Sequence, residues 1–244
     1  MNILAIDIGN TRIKWGLHQD GGWLRQGWVS TAEAGALTAE FAALPPADRI
    51  VISNVAGAAA GARVTAALPR AAQPPEWIVA TAAQCGVTSG YANPAALGAD
   101  RWAALIGAWQ MLRGACVVAN VGTTMTVDAL NAEGAFLGGF IVPGRELMRD
   151  ALARDTANLA AREGVFSFFP DNTGDAIASG AVNALAGAVE RMVRYVAESA
   201  GVEPPVLLSG GGAALIAARI NAQVTVVDNL VLEGLLQIAL QPGR

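Results

Sequence analysis

The chain has 244 residues, enough for one large domain or two of ordinary size, and its 53% hydrophobic and 15% charged content supports a sizeable core and argues against disorder. A net charge of −4 with no block of like charges leaves no electrostatic footprint for nucleic acid, so any anionic ligand must be held by local donors. The first residues, Met1 to Asp7, lack the basic region and long apolar stretch of a signal peptide, and no run approaches the ~18 apolar residues of a membrane span. Cys85 and Cys116 form no CxxC pair and read as buried small hydrophobes. The expectation is a soluble cytoplasmic protein with neither a nucleic-acid nor a membrane partner.

In chain order, residues 2–7 are an apolar run ending in Asp7, which reads as a buried strand whose end reaches a site. Residues 11–18 and 21–30 read as further strands around the Asp20-Gly21-Gly22 turn, and 32–44 as a helix stopped by Pro45-Pro46. A strand at 49–54, a helix at 58–68, a short strand at 77–79 and a loop from Thr88 to Ala99 lead to a helix over 100–112. The second half opens with strands at 115–120, 123–130 and 135–142, followed by helices near 144–155 and 174–199. In the longer helix Ile177, Ala181, Leu185, Val189, Met192 and Val196 make a continuous apolar stripe. A strand at 206–209, a helix after Gly212, a strand at 224–226 and a helix at 229–240 close the chain.

An internal repeat organises these elements. Ile3 to Thr11 (ILAIDIGNT) aligns with Cys116 to Thr124 (CVVANVGTT): apolar strand, Asp or Asn, Gly, polar residue, Thr, second strand. Each copy opens a half-chain, which predicts an α/β protein of two duplicated lobes facing each other across a cleft, residues 1–114 and 115–244. A strand turning through Gly and Thr presents backbone N–H groups that bind anions, and a side chain in place of Gly would hold a phosphate off the backbone. Gly9, Asn10 and Thr11 are therefore candidates for phosphate oxygens, with Lys14 as a cation and Asp7 as an oxygen ligand for Mg²⁺, directly or through water. Gly122, Thr123 and Thr124 are the second set, with Asp128 nearby.

Other nucleotide motifs are missing. No GxxxxGK[ST] is present: Gly139–Arg145 has Arg-Glu where Lys and Ser/Thr are needed, and GxGxxG is absent too. Gly210-Gly211-Gly212 lies between a strand and a helix, where it can admit an adenosine or serve packing alone. Taken singly, Asp100 also reads as a helix cap, Arg101 as a surface ion-pair residue and Tyr91 as loop packing. His18, the only histidine, is given no role.

Hairpin, hairpin, glycine loop is the order of the phosphate-1, phosphate-2 and adenosine motifs of the acetate/sugar kinase, Hsp70 and actin superfamily. Within it the chain resembles type III pantothenate kinase through DIGNTRIK (7–14), YANP (91–94), LGADR (97–101), GTTMTVD (122–128), Gly138-Gly139 with Pro143-Gly144, and Asn172-Thr173 ahead of a long helix. The resemblance implies two actin-like (ribonuclease H-like) lobes with mixed sheets flanked by helices and an ATP cleft between them. It implies ATP-dependent phosphorylation of pantothenate to 4′-phosphopantothenate, the entry to coenzyme A synthesis. Asp7, Ile8, Gly9, Asn10, Thr11, Arg12, Ile13, Lys14 and Thr123 then match ATP-binding positions, and Asp100 the general base. Gly98, Ala99, Asp100, Arg101 and Tyr91 match substrate-binding positions. Thr173 matches a threonine reaching substrate from a neighbouring subunit, which implies a homodimer. A helix dipole is expected to keep Asp100 ionised.

One departure concerns Asn120, where relatives typically carry the Asp that helps hold a monovalent cation (potassium or ammonium); loss of its charge weakens such a site. Thr124 stands where many relatives have alanine. Two alternatives keep the fold: a kinase acting on another hydroxylated or carboxylated acceptor, or a non-catalytic, nucleotide-dependent regulatory module.

Overall fold

A computed structural model describes residues 1–71, 73–156, 159 and 163–241. The chain divides into two compact units, Met1–Met111 with Asn229–Arg244, and Leu112–Asp228.

The first unit is built on strands β1 (Ile3–Ile8), β2 (Arg12–Gln19), β3 (Gly22–Ser30), β4 (Arg49–Asn54) and β5 (Glu76–Trp77), in the order β3-β2-β1-β4-β5. β1 pairs antiparallel with β2 and parallel with β4, so the sheet is mixed. Alternation sorts its side chains: Leu4, Ile6, Ile8, Ile13, Trp15, Leu17, Ile50 and Ile52 enter one core with Phe41 and Val64. These last two lie on helices α1 (Leu37–Ala42) and α2 (Ala58–Ala67). Ile3, Ala5 and Asp7 face the other way yet are also buried. Cover on both faces is what an uninterrupted apolar strand requires.

The second unit repeats the plan. β8 (Cys116–Val121), β9 (Thr124–Leu130), β10 (Ala135–Pro143), β11 (Val206–Ser209) and β12 (Val224–Val226) run in the order β12-β11-β8-β9-β10. β8 again pairs antiparallel with the next strand and parallel with the later one. Three helices accompany this sheet: α4 (Arg145–Asp155), α5 (Thr173–Ala200) and α6 (Ala213–Ala217). The Asn172 side chain caps α5 by accepting from the Asp175 N–H at 3.0 Å, and Gly201 ends it at φ 71°. The stripe of Ala181, Leu185, Val189, Met192 and Val196 is buried in the unit's core, and Ile177 is half-buried. The duplication legible in the sequence is therefore a duplication of topology.

Three expectations need correction. The last helix, α7 (Leu230–Leu240), belongs with the first unit, not with the second half of the chain. It packs against β1 and β4 and crosses α3 (Ala99–Leu112) where small residues allow close approach. A Cβ on Gly107 of α3 would lie 2.7 Å from the Leu230 carbonyl oxygen, and Gly234 faces the Ala103 backbone. The helix expected over 32–44 is a 3-10 segment (Thr31–Ala36) followed by α1, with non-helical backbone at Glu33. A hairpin of β6 (Ala83–Gln84) and β7 (Val87–Ser89) also precedes and enters the expected loop, turning through Cys85 (φ 52°) and Gly86 (φ 86°). Among the described residues no helix is long and apolar enough to cross a membrane.

Candidate active site

The first corner links β1 to β2. The Gly9 N–H donates to the Arg12 carbonyl at 3.0 Å, closing the turn. Thr31 braces it from outside: its hydroxyl donates to the Gly9 carbonyl at 2.7 Å and its N–H to the Thr11 carbonyl at 3.0 Å. Asn10 and Thr11 are exposed at the tip, and among the described residues the Asn10 N–H has no acceptor. This leaves a donor available to an anion.

Behind the tip, register aligns a row of side chains. Asp7 lies opposite Lys14 on β2 and opposite Ser53 on β4, and Lys14 lies opposite Trp28 on β3. Asp7 is only 9% exposed and its Oδ1 has no hydrogen-bond partner. Burial, together with the nearby Asp100 carboxylate, pushes its pKa up from 3.8 to about 7, against the pull of Lys14 and the Ser53 hydroxyl. Ser53 is fully buried, and its Oγ, though close to Asp7, makes no bond of good geometry.

Asp100 sits on the first turn of α3, where its Oδ1 accepts the Arg101 N–H at 2.7 Å. Its pKa is also raised: loss of solvent outweighs both that hydrogen bond and the Arg101 charge. Gly98 permits this geometry, since a Cβ there would lie 2.7 Å from Asp100 Oδ1. Arg101 is buried at 6% exposure, and its guanidinium donates to the Tyr91 hydroxyl at 3.2 Å and lies over the Tyr91 ring. In the first unit, then, Asp7, Lys14 and Asp100 are electrostatically linked, and Arg101 and Tyr91 are in contact.

The second corner is one residue shorter. The Gly122 N–H donates to the Thr124 carbonyl at 3.0 Å, and the Gly144 N–H to the Thr123 carbonyl at 2.9 Å. A Cβ on Gly144 would lie 2.6 Å from the Thr123 oxygen, so only glycine fits beside the corner. The Gly210–Gly212 loop seats against the same strand end: the Gly212 N–H donates to the Val121 carbonyl at 3.0 Å, and Gly210 holds φ 93° with its Cα beside Asn120. Close packing therefore accounts for two of these three glycines. Asp128, expected near the corner, is buried in β9 opposite Val118, four residues beyond Thr124 and roughly 13 Å along the strand. Thr173 is half-buried at the start of α5.

The type III pantothenate kinase family profile matches residues 3–195. Type III pantothenate kinases from Nitrosospira multiformis and Aromatoleum aromaticum are 48% and 50% identical over 237 residues, covering 97% of this chain and 90% and 97% of theirs. The chain belongs to the type III pantothenate kinase family. Solved structures support the fold alone. The inorganic polyphosphate/ATP-glucomannokinase of an Arthrobacter species has TM-score 0.50 at 17% identity, covering 99% of each chain. Component A of the Acidaminococcus fermentans (R)-2-hydroxyglutaryl-CoA dehydratase has TM-score 0.52 at 14%, covering 98% and 96%.

For a pantothenate kinase of this family, sequence reasoning missed three supports. Ser53 beside Asp7 was signalled only by a polar pair, Ser53-Asn54, ending an apolar strand. Thr31 and Trp28 lie far from the motif in sequence and meet it through strand pairing. Divalent-cation fit can be tested on the same residues. Among the described residues no cluster of three His, Cys, Asp or Glu side chains forms a cage. Mg²⁺ in phosphoryl-transfer sites needs only one or two carboxylates plus water and phosphate oxygens. The Asp7 carboxylate, whose Oδ1 has no hydrogen-bond partner, fits that requirement.

Proposed function

We propose that this chain transfers the γ-phosphoryl group of ATP to the 4′-hydroxyl of pantothenate, giving 4′-phosphopantothenate and ADP. The carrying observation is a pair of carboxylates, buried Asp7 and half-buried Asp100, electrostatically linked beside Lys14 at a glycine corner. The residue types suit a reaction that depends on alignment and charge neutralisation. Backbone donors at the first glycine corner, the Asn10 N–H foremost, with Lys14, hold phosphate oxygens. A bound Mg²⁺, held by Asp7 directly or through water, would neutralise charge on the β- and γ-phosphates.

Asp100 orients the attacking hydroxyl. As the new O–P bond forms and the bond to the β-phosphate oxygen breaks, it accepts the hydroxyl proton. Its raised pKa strengthens it as a base. Arg101, fixed by Tyr91, is suited to the pantothenate carboxylate through charge-assisted hydrogen bonds. Gly98 and Ala99 complete the substrate segment.

The reading includes a homodimer in which Thr173 reaches the neighbouring subunit's substrate. Supporting it, large apolar side chains of the second unit stand exposed near the start of α5: Val165 (70%), Phe168 (75%) and Phe169 (92%). A cytoplasmic setting suits two cysteines that are both buried as thiols.

A coupled ADP assay with a panel of acceptors tests the assignment. Release of ADP that depends on pantothenate supports it. Turnover confined to a sugar or another carboxylate, or nucleotide binding without turnover, replaces it.

A further inference from the structure

We propose that Trp28 is a positioning residue that holds the Arg12 guanidinium at the phosphate corner, where Arg12 contacts the nucleotide's phosphates as a second cation. The inference rests on the kinase reading and deepens it.

Residues 12 and 14 point to the same face of β2, because Ile13, Trp15 and Leu17 fill the core on the other. Trp28 lies opposite Lys14 on the neighbouring strand. It therefore shares the face that carries Asp7 and Lys14. Its ring lies under the Arg12 guanidinium, 4.2 Å from ring centroid to the guanidinium carbon. An indole 57% exposed gains little from burial, so the fold alone gives it slight reason to be there.

The arginine's electrostatics are as informative as its position. Arg25 pairs with Glu40 and Arg49 with Glu76, each at 2.9 Å. Among the described residues no carboxylate pairs with Arg12. Stacking fixes the direction of a guanidinium without neutralising it, because the ring face attracts the cation while its N–H edge stays open. At the rim of a corner whose Asn10 N–H has no acceptor, the uncommitted charge suits a polyphosphate. Lys14 faces Asp7 directly and shares its charge with that carboxylate. Arg12 does not face Asp7 in register.

The test is a double-mutant cycle on full-length protein, reading MgADP affinity by calorimetry and KM for ATP against kcat. Trp28→Ala should weaken MgADP binding and raise KM for ATP by about 5-fold, the equivalent of one solvent-exposed cation–π contact, with kcat much less affected. Trp28→Phe should restore most of the affinity, since a smaller ring still stacks. In an Arg12→Gln background, Trp28→Ala should have no further effect. Equal losses from Trp28→Ala with and without Arg12 would overturn the proposal and leave Trp28 a strand-edge packing residue. So would unchanged MgADP affinity in Trp28→Ala. Because MgADP binding is read without an acceptor, these outcomes stay distinct from a failure of pantothenate-dependent turnover in the unaltered protein.

Discussion

Across the first sheet, one row of side chains reads Ser53, Asp7, Lys14, Trp28; across the second, the matching row reads Ser209, Asn120, Thr126, Ile141. The serines coincide, and both rows end beneath a glycine corner. Every charge has gone from the second. Duplication has kept the backbone corner, which needs only glycine and a strand turn, while the charged side chains of the row stand in one copy. The difference marks the first corner as the one whose row carries ionisable groups.

The largest expected effect breaks that comparison at its charged end. Asp100→Asn should lower kcat at least ~100-fold in the coupled ADP assay, the lower end for losing a general base. Near-normal turnover would remove Asp100 from that role and leave the first unit without its proposed proton acceptor.

Asp7→Asn should lower activity too, but stability is the sharper readout. A carboxylate whose folded pKa is raised from 3.8 to about 7 makes the native state bind more protons than the unfolded one. Native stability then falls as pH rises through that window and is flat above it. Removing the ionisable group should raise Tm at pH 8, by about 2–4 °C for each kcal/mol recovered, and change it little near pH 4. An unchanged Tm at pH 8 would mean that Asp7 is not strained. Asn120 at the second corner supplies no such charge, so its substitution by Ala should give a Tm difference that does not vary with pH.

Much of this contrast is legible in the chain itself. Asp7 and Asn120 align directly in the repeat, and the apolar runs locate nearly every strand, because a strand buried on both faces leaves a continuous hydrophobic signature. What escapes is what strand pairing and helix crossing create. Thr31 braces Gly9 from 22 residues away. α7 joins the first unit because Gly107 and Gly234 permit close contact, a fit that periodicity does not encode. The Gln84–Val87 turn is hidden because Cys85, not Asn or Asp, takes the left-handed position before Gly86. Asp100's raised pKa likewise depends on desolvation, which local sequence cannot weigh against a helix dipole.

The corners also differ in tolerance. A Cβ on Gly9 would lie 3.0 Å from the Arg12 carbonyl, whereas on Gly122 it would lie 3.6 Å from that of Thr124. Gly9→Ala should therefore weaken MgADP binding more than Gly122→Ala, measured by calorimetry. The reverse order would make the second corner the tighter phosphate holder.

The smallest effect concerns the cation. Asn120 is half-buried between Thr126 and Ser209, with its side-chain oxygen beside Gly210. An amide oxygen can still ligate a monovalent ion, but without a charge it repays little of the ion's lost hydration. Rates in potassium and sodium chloride at equal ionic strength should be indistinguishable. Asn120→Asp restores the carboxylate and should introduce a preference for potassium. Strong potassium activation of the unaltered enzyme would show that the neutral oxygens around Asn120 suffice, and the second row would then hold a cation despite having no charge of its own.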